Sequence, residues 1–184
     1  MSPKTVRTKS LKRLSTGHLW IFKSELLSST EGLNPGDLVY VAGPKGDFIG
    51  TGYINPSNTL AIRLLSNKKI PSIKKFFQQS LERAINYRKT LYQELTTCRL
   101  VFSEGDLLPG LIVDKYEDVL VLQILTAGME RQKRTIIETL KELLEPKCIV
   151  LRNDSPFRLT EGLPQEKAIV HGKLPEKLLT KEGD

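Results

Sequence analysis

Gly50-Thr51-Gly52-Tyr53-Ile54-Asn55-Pro56-Ser57-Asn58, continued by Leu60-Ala61-Ile62-Arg63-Leu64-Leu65, is the stretch that decides the fold of this 184-residue chain. Two apolar runs, residues 48–53 and 60–65, flank Asn55-Pro56-Ser57-Asn58. That tetrapeptide is turn chemistry: Pro presets φ, and Asn and Ser bond their own backbone. Gly50 and Gly52 inside a strand pattern predict a bulge or a close backbone approach, as small barrels need at their corners. The same grammar runs upstream. Residues 18–22 and 38–41 are apolar runs separated by Asn34-Pro35-Gly36-Asp37, and Gly43-Pro44-Lys45-Gly46 follows the second. Short strands spaced by about ten residues with such turns predict a small barrel or sandwich over residues 1–70.

Downstream the period changes. Ser72 is an N-cap candidate. Ile73, Phe76, Phe77, Leu81, Ile85, Leu91 and Leu95 then form a helical apolar stripe. A linking helix is expected within residues 71–98, and a second unit over 99–184. In that unit, residues 111–116 and 119–125 read as a hairpin through Glu117-Asp118, although the Gly that a tight turn prefers is missing. Residues 126–144 read as one helix, with Met129, Ile136, Ile137, Leu140, Leu143 and Leu144 inward and Pro146 beyond its end. Residues 148–152 and 168–171 are two further strands. The expected fold class is therefore α+β: a small β-barrel, a linking helix, and a strand-strand-helix-strand-strand unit. The tail from Lys173 is polar and supplies no closing core element.

The net charge of +7 conceals a split: residues 1–92 carry +10 and residues 93–184 carry −3. Lys4, Arg7, Lys9, Lys12, Arg13 and Lys23 fall in the first 24 residues, which contain no acid. A second basic run comprises Arg63, Lys68, Lys69, Lys74, Lys75, Arg83, Arg88 and Lys89, against Glu82 alone. A polyanion gains affinity from such stretches because each neutralised phosphate releases condensed counterions. Strand alternation puts Arg63 opposite Ile62 and Leu64, so it is expected in solvent and within reach of a phosphate. Trp20 and Phe22 share a face, where an aromatic pair stacks unpaired bases or Trp20 anchors the barrel core.

Catalytic chemistry is sparse. The two histidines, His18 and His171, lie on different expected units, and the sequence holds no HxxxH and no CxxC. Cys98 and Cys148 read as small hydrophobes. Gly105 and Gly110 are followed by a strand, so the helix N-terminus that holds a nucleotide phosphate or cofactor carboxylate is missing. Glu104, Asp106 and Asp114 could serve a metal or a proton, but acids beside glycine commonly stabilise turns. No catalytic, cofactor-binding or metal residue is assigned. No apolar run approaches the ~20 residues of a membrane span. The basic amino terminus is not a secretory signal, and the expected compartment is the cytoplasm.

The order of motifs resembles a known family. Gly17-His18-Leu19-Trp20-Ile21-Phe22, Pro35-Gly36-Asp37-Leu38-Val39 and the Gly50–Ser57 stretch with Ile62-Arg63 resemble the N-terminal PUA domain of the bacterial 23S ribosomal RNA cytosine-C5 methyltransferases. Arg99-Leu100-Val101, Glu104-Gly105-Asp106, residues 108–114, Arg152-Asn153-Asp154 and Glu161-Gly162-Leu163 resemble that family's central domain. The resemblance implies an RNA-targeting region. Its catalytic Rossmann-like domain, with the S-adenosylmethionine loop and nucleophilic cysteine, is not among these residues. S-adenosylmethionine is thus implied for the parent family and no cofactor for this chain. The implied partners are RNA, ribosomal in that family, and the absent methyltransferase domain, with a homodimer left open and no membrane. Lys4, Arg7, Lys9, Lys12, Arg13, His18, Trp20 and Arg63 are the expected RNA contacts. The alternative is a free-standing adaptor that binds RNA or protein, its acidic half offering residues 129–144 as an exposed helix. A small independent enzyme built on the three acids is a third reading.

Overall fold

The computed structural model describes residues 3–9, 11–92 and 94–177. The expected final residues, 178–184, lie outside this set. The first half contains β1 (Lys4–Arg7), α1 (Leu11–Ser15), β2 (Trp20–Phe22), β3 (Asp37–Ala42), β4 (Phe48–Ile54) and β5 (Leu60–Ser66). Its five strands form one sheet in the order β1-β3-β4-β5-β2. The edge strand β1, which sequence patterning missed, pairs in parallel with β3. Its alternation is hidden because it is only four residues long and only Val6 is buried. Beyond β1 and β2 the two sheet edges meet. Thr8 bridges Leu26, Leu27 N donates to Arg7 O at 2.8 Å, and Lys9 N donates to Glu25 O at 3.0 Å. The sheet therefore curls into the expected barrel-like unit. Val6, Ile21, Val39, Val41, Ile54, Ile62 and Leu64 fill it.

The two strand glycines act as expected. A Cβ on Gly50 would lie 2.5 Å from Ser66 O, and one on Gly52 2.5 Å from Arg63 O. The β4–β5 register shifts between Thr51 and Gly52. Only a missing side chain lets the strands approach so closely at this bulge.

α2 (Ile73–Leu91) starts at Ser72, whose hydroxyl accepts from Lys75 N, and ends close to the expected place. The second half follows: β6 (Thr97–Phe102), β7 (Leu111–Tyr116), β8 (Val119–Ile124), α3 (Ala127–Arg131), α4 (Lys133–Leu144), β9 (Cys148–Asn153), α5 (Phe157–Thr160) and β10 (Glu166–Gly172). The sheet order is β10-β9-β8-β7-β6, with β8–β9 parallel and the other pairs antiparallel. The unit gains one strand over the expectation, β6, which pairs with β7 and carries the Arg99-Leu100-Val101 motif. The β7–β8 turn manages without glycine by placing Glu117 at φ 51°.

Residues 126–144 are two helices rather than one. α3 buries three consecutive residues, Ala127, Gly128 and Met129, whereas α4 buries a stripe at Ile136, Thr139 and Leu140. A helix has one apolar stripe, so a chain that must seat on two differently placed surfaces breaks between them, here at Gln132. The apolar face of this segment is also not free for the partner of the adaptor reading. Met129, Ile136 and Leu140 are fully buried in the main core, with Ile137, Leu143 and Leu144 packed against it. That core runs between the second sheet, α2 and α4. It also takes Tyr53, Leu65 and Ile70 from the first half, so the two units share one apolar interior.

Candidate nucleic-acid interface

The sharing of that interior changes the role of Arg63. β5 is covered on both sides: Ile62 and Leu64 face the barrel interior, while Leu65 belongs to the shared core. Arg63 is 3% exposed, and its Nη1 lies 2.8 Å from Glu161 Oε1. The expected solvent position is therefore wrong, because the outer face of this strand is a seam between units rather than a surface. Buried charge persists only when paired and hydrogen-bonded, and Glu161 is surrounded by donors. Asn55 Nδ2 reaches its Oε2 at 3.1 Å, Asn58 Nδ2 its Oε1 at 2.8 Å, and Ala127 N its Oε2 at 3.2 Å. The Asn-Pro-Ser-Asn turn of the deciding stretch thus joins the halves. Tyr53 does the same: its hydroxyl bonds Thr126 Oγ1 at 2.9 Å and donates to Pro109 O. Burial holds that hydroxyl proton well above the ordinary tyrosine range, against the opposing pull of Arg63.

Five of the expected RNA contacts follow one another along the chain on neighbouring elements. Lys4 and Arg7 project from β1, Lys9 from the following connection, and Lys12 and Arg13 from α1. Lys4, Arg7, Lys9 and Lys12 are exposed. Lys4 Nζ donates to Glu31 O at 3.2 Å. Arg13 is more constrained: it pairs with Glu25 at 3.3 Å and stacks over the Phe22 ring at 4.9 Å. Glu25 also accepts from Phe22 N at 2.7 Å, so this corner is tightly knit.

His18 and Trp20 diverge. His18 is exposed and lines a depression of about 400 Å³ with Leu14, Phe76 and Arg83. Arg83 is the residue that sequence reasoning counted as charge but did not place at a site. Trp20 is 39% exposed, so it is not the barrel's core anchor. Its Nε1 donates to Glu104 Oε1 at 2.9 Å across the seam. A further basic area lies at the start of α2. Lys74 and Lys75 occupy a first turn that holds no acid, which opposes the helix dipole and favours a bound anion nearby.

The three acids of the enzyme reading are dispersed among structural partners. Glu104 holds Trp20 and Ser103; Asp106 holds Arg88 at 2.5 and 2.7 Å; Asp114 holds Arg99 at 2.7 and 3.0 Å. Among the described residues no cluster of His, Cys, Asp and Glu could hold a metal ion. Nor does the turn around Gly105 and Gly110 fit S-adenosylmethionine. Gly110 leads into β7 rather than a helix, Ser103 Oγ takes its N–H at 2.8 Å, and Thr126 fills the space beside its Cα. Burial raises the Cys148 thiol pKa, and burial also raises that of half-buried Cys98. Neither is prepared as a nucleophile. No helix among the described residues is long and apolar enough to cross a membrane.

Comparison with known proteins agrees with this layout. Residues 5–67 match a PUA-like domain. The chain is 34% identical over 179 residues to ribosomal RNA large subunit methyltransferase I of Alteromonas mediterranea, covering 96% of this chain and 44% of the relative. It is 37% identical over 175 residues to the enzyme of that name from Vibrio cholerae, covering 93% and 43%. Among solved structures, one described as a methyltransferase complexed with SAH superposes with a TM-score of 0.76 at 17% identity, over 96% of this chain and 44% of that one. One described as a SAM-dependent methyltransferase from Streptococcus mutans gives 0.75 at 17%, over 94% and 44%. Residues 5–67 are thus a PUA-like domain, and the chain spans a little under half the length of the curated ribosomal RNA methyltransferases to which it is similar.

Proposed function

We propose that this chain is the RNA-recognition region of an S-adenosylmethionine-dependent ribosomal RNA methyltransferase. The single observation that carries the proposal is the group of exposed cations Lys4, Arg7, Lys9 and Lys12 on β1, α1 and their connection, within a PUA-like domain. These side chains contact phosphates and set orientation without reading sequence. The second unit is joined to the barrel through Glu161 and Tyr53, so it holds the barrel in a fixed direction relative to whatever follows it. In a longer protein, that rigidity would aim the bound RNA at the catalytic unit. The cytosine-C5 position is the proposed site of methylation, on the resemblance of the motifs alone, and the cytoplasm is the proposed compartment.

The test is equilibrium binding of the chain to ribosomal RNA fragments across ionic strength. Affinity should fall linearly on a log–log plot, with a slope near −0.7 to −0.9 per phosphate neutralised. Absence of affinity at low salt, or affinity indifferent to salt, would refute the assignment. The adaptor reading loses support, because the apolar face of the segment it offered to a protein partner is buried in the core.

A further inference from the structure

Where Trp20 crosses the seam there is an open cleft of about 430 Å³, within the size range of small-ligand sites. Trp20 of β2 and Phe157 of α5 both line it, with Ser103, Glu104, Thr126 and Arg63 as its polar groups. Neither aromatic is buried: Trp20 is 39% and Phe157 45% exposed. Surface aromatics are common singly. Here one from each unit lines the same cleft, and the Trp20 indole is pinned by Glu104 at 2.9 Å. A pinned ring loses little conformational entropy when a ligand stacks on it.

We propose that this cleft receives one unpaired RNA base bearing an exocyclic amino group, stacked on Trp20 and Phe157. The assignment rests on the RNA-binding reading above and extends it from backbone contact to base contact. An aromatic lining suits any base, since each has a π-face. The amino group is selected by Glu104. Its Oε1 accepts from Trp20 Nε1, and its Oε2 accepts from Ser103 Oγ at 2.5 Å. Each carboxylate oxygen carries two lone pairs, so acceptor capacity remains for an N–H of adenine, cytosine or guanine. Uracil presents only its ring N–H and carbonyl oxygens, and a carboxylate repels the latter. A backbone phosphate is disfavoured beside Glu104, so the base, rather than its phosphate, enters the cleft. The phosphates run instead toward the cations of the PUA-like domain.

Trp20 is the sole tryptophan in the chain, so selectively excited tryptophan fluorescence reports on this cleft, free of the five tyrosines. The experiment titrates the full chain with short single-stranded oligo(A) and oligo(U). It reads tryptophan quenching and, separately, anisotropy of end-labelled RNA. Oligo(A) should quench Trp20 and bind more tightly than oligo(U). Phe157→Leu should weaken oligo(A) binding at least about fivefold, and Phe157→Tyr should restore it, as loss and return of one stacking face require. Glu104→Gln should narrow the preference for oligo(A) over oligo(U). Salt-dependent binding by anisotropy without quenching, or with Phe157→Leu equal to the parent chain, overturns the cleft while leaving the RNA-binding reading intact. No binding by anisotropy at low salt overturns both.

Discussion

Arg63 Nη1 and Glu161 Oε1 lie 2.8 Å apart, with 3% and 0% of their side chains in solvent, and they come from opposite halves of the chain. Asn55 and Asn58, from the first half, and Ala127 N, from the second, converge on the same carboxylate. Removing one partner of a buried pair strands the other charge, which typically costs about 3–5 kcal/mol. Glu161→Ala and Arg63→Ala should therefore each lower the urea unfolding free energy by about that much. The double variant Arg63→Met/Glu161→Leu should lose less than the two single losses added, because no orphaned charge remains. Single losses below about 1 kcal/mol would mean that water reaches the pair.

The seam was only half legible in the sequence. The strands, turns and strand glycines of the first half follow local rules, so residues 48–66 were readable almost to the residue. Arg63 was misplaced because alternation reports which face a side chain takes, not what covers that face. The sequence did hold a warning. Leu65 is on the same face as Arg63, and an apolar neighbour two positions away indicates a covered surface. Glu161 gave no such signal: it sits in a short turn, and its first-half partners Asn55 and Asn58 are 106 and 103 residues away. Phe157, a lone aromatic after Pro156, is likewise indistinguishable from a core residue until the units are assembled. The exposure of Lys4, Arg7, Lys9 and Lys12 was legible because charged side chains stay in water unless paired.

Tyr53 and Gly128 form a second junction. A Cβ on Gly128 would fall 2.0 Å from the Tyr53 ring, and that ring is buried. Gly128→Ala should destabilise by at least about 1–3 kcal/mol, the usual cost of overpacking. The pairing Gly128→Ala with Tyr53→Ala should recover part of that loss in urea unfolding. Equal or greater loss in the double variant would show that the clash is not with this ring.

The same tyrosine sets an alkaline limit. In the folded chain burial keeps its hydroxyl protonated well above the ordinary value of 10.0. Above that pH the unfolded chain releases the proton while the folded chain retains it. The unfolded state then binds fewer protons, so stability falls as pH rises. Below pH 10 both states are protonated, and Tyr53 contributes no slope. Tyr53→Phe loses the hydrogen bonds to Pro109 O and Thr126, at about 1–2 kcal/mol near neutral pH, but has no proton to lose. The stability gap between the two chains should narrow above about pH 10. A constant gap from pH 7 to 11 would place the Tyr53 hydroxyl in water.

Arg88 ties α2 to the turn before β7. Its guanidinium meets Asp106 through two bonds of 2.5 and 2.7 Å, and its Nε donates to Arg99 O at 3.1 Å. Asp106 also accepts from Phe102 N at 2.6 Å. Lysine has no planar fork and cannot reproduce three bonds in three directions. Arg88→Lys should cost about 1–3 kcal/mol despite conserving the charge. Hydrogen exchange should quicken at the 103–106 turn before it does in β7. An unchanged midpoint would make this bidentate contact incidental.

The exposed cations allow a cleaner dissection of RNA contact than a set that includes Arg13. Arg13 pairs with Glu25 and lies over Phe22, so Arg13→Glu would set like charges together and mix folding with binding. Among the described residues no such cage holds Arg7 or Lys12, and both are exposed. Arg7→Glu and Lys12→Glu should leave the urea midpoint within about 0.5 kcal/mol of the parent, as surface changes do. Each should weaken binding to all RNA sequences about equally and lower the salt slope by about one per lost phosphate contact. Loss of affinity for one sequence only would make these residues base readers. Unchanged affinity in both would move the phosphate path away from β1 and α1, toward Lys68, Lys74 and Lys75 at the start of α2.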